Sequence, residues 1–131
     1  MQDDMKRTLY AFIVLPYVIK VFKRDFLSFE ADNVIKFNNP LLDKIDTAIN
    51  SAQDDLSAVK RQIYNEFHMK VRNLGKQDGN IRFDWQTPND SGDIKLTPEQ
   101  LRDLTGDMMR LYLYGMLSKD FVPSERGWKV D

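Results

Sequence analysis

The sequence contains no cysteine and a single histidine, His68, among its 131 residues. Without thiols, the chain can form no disulfide, no thiolate nucleophile and no zinc ribbon. One imidazole also excludes, within one chain, metal sites that need two histidines, and nothing else in the sequence supports a Ser-His-Asp arrangement. We interpret His68 as a partly exposed structural residue on a helix.

An excess of charge of one sign is missing too, because 19 basic and 20 acidic residues give a net charge of −1. No global field therefore attracts the protein to nucleic acid or to an anionic membrane. The six glycines form neither GxGxxG nor GxxxxGK[ST], so the sequence lacks the glycine-rich motifs that usually indicate nucleotide binding. We predict a non-enzymatic protein with no catalytic residue, no cofactor, no metal and no small-molecule ligand. The alternative is an enzyme site near Asp84, Asp90 and Asp93, although these residues are also typical of turns.

The longest apolar run, LYAFIVLPYVIKVF at residues 9–22, is too short to span a bilayer, which takes about 20 apolar residues. Asp3 and Asp4 are unsuitable for a signal peptide, so we expect a chain that starts at Met1 and stays in the cytoplasm. The apolar spacing predicts a helix over residues 1–30, with a kink or short break at Pro16. The β-branched residues of the run leave a buried strand as the alternative.

The clearest helical pattern covers residues 40–74. Asn39 suits the N-cap, Pro40 the first helical position, and Gly75 the residue after the end. Between them, apolar residues recur at steps of three and four, as on one face of an amphipathic helix. A capping-box pattern from Ser51 to Asp54 leaves open a break near residue 50.

The predicted length of this helix suggests association with a partner. At 1.5 Å per residue, residues 40–74 would reach roughly 50 Å, whereas a compact chain of this size has a diameter of about 36 Å. The overhanging apolar stripe would then need a partner, either a second copy in a homodimer or another protein. The predicted partner face is Leu42, Ile45, Ile49, Leu56, Val59, Ile63 and Phe67.

After Gly75, alternating apolar residues predict a β-hairpin over residues 80–96, which Val34–Phe37 could extend as a third strand. Thr97, Pro98 and Gln100 then mark the start of a third helix over residues 98–119. The apolar tail, residues 120–131, is expected to dock on the domain. The predicted fold is therefore one mainly α domain, a helical bundle of three principal helices with a long central helix and a small hairpin between the second and third.

A local excess of positive charge between residues 60 and 82 provides an alternative function. Basic side chains beside Phe83 and Trp85 are suited to binding single-stranded nucleic acid. However, the third helix lacks the basic residues of a recognition helix, and a solvated helix face explains the pattern more simply. The candidate nucleic-acid patch is Lys60, Arg61, Lys70, Arg72, Lys76 and Arg82.

Overall fold

The structure is a computed structural model that describes residues 3–31 and 40–120. Three strands lie between the second and third of three α-helices, so the fold of this part is mixed α/β and the predicted mainly α class is wrong. The elements, in chain order, are α1 (Asp3–Ala31), α2 (Pro40–Arg61), a π-helical turn (Gln62–Glu66), β1 (Lys70–Gln77), β2 (Asn80–Gln86), β3 (Ser91–Leu96), α3 (Pro98–Leu113) and a 3-10 turn (Ser118–Asp120).

Helix α1 forms the centre of the hydrophobic core. Its residues Leu9, Val14, Leu15 and Val18 are completely buried, and α1 packs against both α2 and α3. The helical prediction for the apolar run is confirmed, and the helix continues through Pro16 without a break. The run is apolar on nearly every side because the same chain covers it.

Helix α2 is shorter than predicted. It ends at Arg61, and the π-helical turn that follows has Phe67 N–H donating to Gln62 O at 3.0 Å and Met69 N–H to Ile63 O at 2.8 Å. His68 then adopts φ +49°, a left-handed conformation that ends the helical path. The predicted helix over 40–74 is therefore wrong beyond the π-helical turn. The alternative break near residue 50 is also wrong, since α2 is continuous there.

The sheet is antiparallel in the order β1-β2-β3. The predicted placement of the hairpin, which β2 and β3 form, is confirmed. The third strand is β1, from the segment predicted to end the long helix, and Val34–Phe37 lies outside the described residues. Val71 of β1 pairs with Trp85, and Gly75, predicted to follow a helix, takes φ +78° beside a bulge. Strand β1 gives the hairpin the third strand that an isolated hairpin needs for stability.

Helix α3 begins as predicted and ends early. Thr97 Oγ1 accepts a hydrogen bond from Gln100 N–H at 3.0 Å, and Thr97 N–H donates to Gln100 Oε1 at 2.9 Å, which completes the capping box. The helix ends at Leu113, not at residue 119, because Gly115 takes φ +76°. Of the tail predicted to dock, residues 120–131, all but Asp120 lie outside the described residues, as does the predicted N-cap Asn39.

Candidate functional site

Four exposed apolar side chains lie directly after α3 and in the first turn of α2. Tyr114 is 76% exposed, Met116 42%, Leu117 38% and Leu41 42%. Leu27 on α1 and Tyr64 in the π-helical turn are further large apolar side chains that are exposed. The Nζ atom of Lys44 lies 5.7 Å from the centroid of the Tyr114 ring, within the range of a cation–π contact. We call Leu41, Lys44, Tyr114, Met116 and Leu117 the Tyr114 surface.

The end of α3 positions this surface. Met116 N–H donates to Leu111 O at 2.7 Å, and Gly115 N–H donates to Tyr112 O at 3.1 Å. These two bonds, together with the left-handed Gly115, form a Schellman motif. The motif reverses the chain direction directly after Tyr114, so Met116 and Leu117 are exposed beyond the helix end.

Two hydrogen bonds attach α3 and the chain that follows it to α2. One carboxylate oxygen of Asp55, Oδ2, accepts from the Tyr112 hydroxyl and from Ser118 N–H, the latter at 2.9 Å. Burial raises the pKa of Tyr112 far above its ordinary value, and its hydrogen bond to Asp55 acts in the same direction. The tyrosine is therefore a neutral donor throughout the physiological range, which keeps the end of α3 fixed on α2.

The predicted partner face lies mainly inside the molecule. Ile45, Ile49, Val59 and Ile63 are buried in the core, and the remaining three residues of that face are partly buried: Leu42, Leu56 and Phe67. These side chains contribute to the packing of this chain itself. At about 33 Å, α2 no longer exceeds the expected diameter of the domain, so the length argument for a partner does not apply to it.

The basic residues of the candidate nucleic-acid patch lie on two separate elements. Two are in the last turn of α2 and four on the sheet: Lys60 and Arg61, then Lys70, Arg72, Lys76 and Arg82. Arg72 Nε lies 2.9 Å from Asp84 Oδ1 and 3.1 Å from Oδ2, and Arg82 Nη1 donates to Gln77 Oε1 at 3.3 Å. Two of the six cations thus already have partners on the sheet.

Of the three acidic residues named as a possible enzyme site, the structure brings together two, Asp84 and Asp93, and not Asp90. Asp84 and Asp93 are opposite one another on β2 and β3, while Asp90 Oδ1 accepts from Ser91 N–H in the turn at 2.8 Å. The hydrogen bond from Arg72 holds the pKa of Asp84 below its usual value. Asp84 and Asp93 line an open cavity of about 610 Å³ on the face of the sheet.

No group of three acidic or histidine side chains in the described ranges is arranged to hold a metal ion. The single histidine, predicted to lie on a helix, is instead exposed in the connection between the π-helical turn and β1.

The fold and its surfaces define a small α/β domain with one core and an apolar surface at a helix end. A family model described as "YhjD protein" matches residues 1–117, and the chain belongs to this family. The match includes every α-helix and strand given above. No curated protein and no solved structure matches the chain. In the described residues, no helix is long and apolar enough to cross a membrane.

Proposed function

We propose that the protein is a non-enzymatic, cytoplasmic association module that forms a weak homodimer through the Tyr114 surface. The observation that carries this proposal is the exposure of Tyr114, a large aromatic residue that is 76% accessible at a helix end where Met116 is exposed as well. Aromatic residues are enriched at protein interfaces because they combine a large apolar area with a polar group.

A second copy of the chain is the partner that fits the chemistry of this surface. In a two-fold symmetric dimer the same patch of each copy meets at the interface. The patch must therefore be complementary to itself and contain both partners of each favourable contact. The Tyr114 surface does so, because the Lys44 ammonium group lies beside the Tyr114 ring in the same copy. Each copy can therefore present a cation to the ring of the other.

The size of the surface favours weak association. Taking about 200 Å² for a fully exposed large side chain, the four apolar residues expose roughly 400 Å² in each copy. This is about half of the area that a partner contributes to a standard interface. After the cost of ordering two molecules, we expect a dissociation constant on the order of 10–100 µM, and not an obligate dimer.

Sedimentation velocity over about 10 to 500 µM protein tests this expectation. The mean mass should rise from monomer towards dimer, and Tyr114→Glu should weaken dimerisation at least about tenfold, since it places a charge in the interface. Leu27→Glu makes a matched change at an exposed apolar residue on α1 and should leave the dimer unchanged. A monomer at every concentration, or equal effects of both variants, would refute the proposal.

Nucleic-acid binding through residues 60–82 stays a prediction. It would depend on the exposed cations that lack an ion pair within the described residues, such as Lys60 and Lys70. Binding of a labelled single strand should then fall steeply with salt, and Lys70→Glu should reduce both the affinity and the salt dependence. Unchanged fluorescence anisotropy for single-stranded and double-stranded probes at low salt would exclude this alternative.

A further inference from the structure

A second cleft, separate from the open cavity on the sheet, lies between α1, the second half of α2 and the two short helical turns. Its volume is about 380 Å³, within the range of small-molecule sites. Ala11 and Val59 contribute a buried apolar floor, and the hydroxyl-bearing residues Thr8 and Ser118 are also buried. One wall is the π-helical turn, an irregularity that is frequent at functional sites. The cleft therefore combines an apolar floor with a few polar groups, as ligand sites do.

The charged residues of the cleft carry both signs. Arg7 and Arg61 contribute cations, and Asp55 and Glu66 contribute carboxylates. Arg7 is already paired with Asp4, whereas Arg61 and Glu66 form no ion pair with any of the side chains that the structure describes. The cleft thus presents charges of both signs that its own side chains do not neutralise.

Only one of the two carboxylate oxygens of Asp55 accepts a hydrogen bond from the described residues. Its Oδ2 atom holds the end of α3, through the hydrogen bonds from Tyr112 and Ser118. No donor among the described residues reaches Oδ1. The hydrogen bonds to Oδ2 hold the carboxylate in one orientation. A ligand that binds Oδ1 therefore avoids the entropic cost of ordering this side chain.

We propose that this cleft binds a small zwitterion, with an ammonium group on Asp55 and a carboxylate on Arg61. A simple anion would meet the carboxylates of Asp55 and Glu66, and a simple cation would meet the guanidinium group of Arg61, which is unpaired among the described residues. Only a molecule with both charges is complemented by the lining. Asp55 and Arg61 are six residues apart on α2, about 9 Å along the axis, so the ligand class is a short chain with its two charges at opposite ends.

The test uses ε-aminocaproate as the probe, with hexylamine and hexanoate as controls that each retain one charge. Backbone amide shifts measured by NMR, up to about 10 mM probe, should saturate for the zwitterion at residues lining the cleft. Each control should bind at least about tenfold more weakly. No saturable shifts, or equal affinity for a control with a single charge, would overturn the proposal.

Variants with matched neighbours locate the site. Asp55→Asn and Arg61→Gln should each weaken binding of ε-aminocaproate at least about tenfold. Asp54→Asn and Lys60→Gln make the same changes at adjacent residues that do not line the cleft, and they should bind like the wild type. Equal losses in the adjacent variants would overturn the assignment. If Asp55→Asn fails to fold because it also holds Tyr112, Arg61→Gln and the probes with one charge still decide the question.

Discussion

Two glycine-to-alanine changes should alter stability in opposite directions. Gly92 on β3 lies directly opposite Trp85 on β2, and a Cβ atom at Gly92 would be 2.7 Å from Cζ2 and Nε1 of the indole and 2.8 Å from Cε2. Carbon atoms in favourable contact are about 3.5–4.0 Å apart, so the ring would have to move by roughly 1 Å. Trp85 is buried and has little room to do so. Overpacking of this kind costs about 1–3 kcal/mol.

Gly106 offers the matched comparison. It lies in the interior of α3, and a Cβ atom built there would meet nothing within 4 Å beyond its chain neighbours and the backbone of its own helix. Alanine is favoured over glycine in a helix interior by about 0.5–1 kcal/mol. We therefore expect Gly106→Ala to raise the free energy of unfolding, Gly92→Ala to lower it, and the two variants to differ by about 1.5–4 kcal/mol.

Urea unfolding followed by far-ultraviolet circular dichroism measures both effects. The midpoint should move in opposite directions with similar m-values, since neither change alters the surface exposed on unfolding. A Gly92→Ala variant within about 0.5 kcal/mol of the wild type would refute the close approach of Trp85 to the β3 backbone. A destabilised Gly106→Ala variant would show that the added methyl group clashes with a neighbouring part of the molecule.

Three further predictions concern helix ends and buried tyrosines. Thr97→Ala removes the cap that Gln100 completes and should lower the free energy of unfolding by about 1 kcal/mol in urea. Gly115→Ala forces a side chain into a left-handed conformation and should cost about 1–2 kcal/mol in the same assay, although its Cβ atom would meet nothing within 4 Å. Burial raises the pKa of Tyr10 and of Tyr112 above the ordinary tyrosine value. The unfolded chain therefore loses these protons first, so the contribution of the two tyrosines to stability is constant below about pH 10 and falls above it by up to about 1.4 kcal/mol per pH unit for each tyrosine. Urea titrations across this range should show the fall, and Tyr112→Phe should reduce its slope by about half.

Local sequence signals predicted the features that depend on neighbouring residues. The start of α3 follows from Thr97 and Gln100, whose side chains and backbone groups bond each other across one turn. The hairpin follows from the alternation of Ile81, Phe83 and Trp85, which places their side chains on one face of β2. In each case the residues that create the signal are also the residues that make the contact.

The errors arose where distant residues decide the structure. Phe67, Val71 and Leu74 continue the apolar spacing of α2, so the pattern alone extends the helix. Strand β1 forms instead because Val71 pairs with Trp85, fourteen positions along the chain. Helical periodicity contains no information about such a pairing. The early end of α3 did have a local signal, because Gly115 lies inside the predicted helix. A helix that ends at this glycine exposes the neighbouring Tyr114 surface, which was not predicted from the sequence.

The shorter α2 changes where an association surface can lie. The apolar stripe of α2 fits within the domain, where α1 packs against it. Exposing these residues to a partner would therefore require unfolding. Exposed apolar residues must then be sought where backbone geometry ends an element, and the left-handed Gly115 places Tyr114 and Met116 at such an end. Because these side chains add little to the core, Tyr114→Glu should disrupt dimerisation while the urea midpoint of the monomer stays near that of the wild type. A loss of stability that accompanies the loss of association would instead mean that Tyr114 supports the fold.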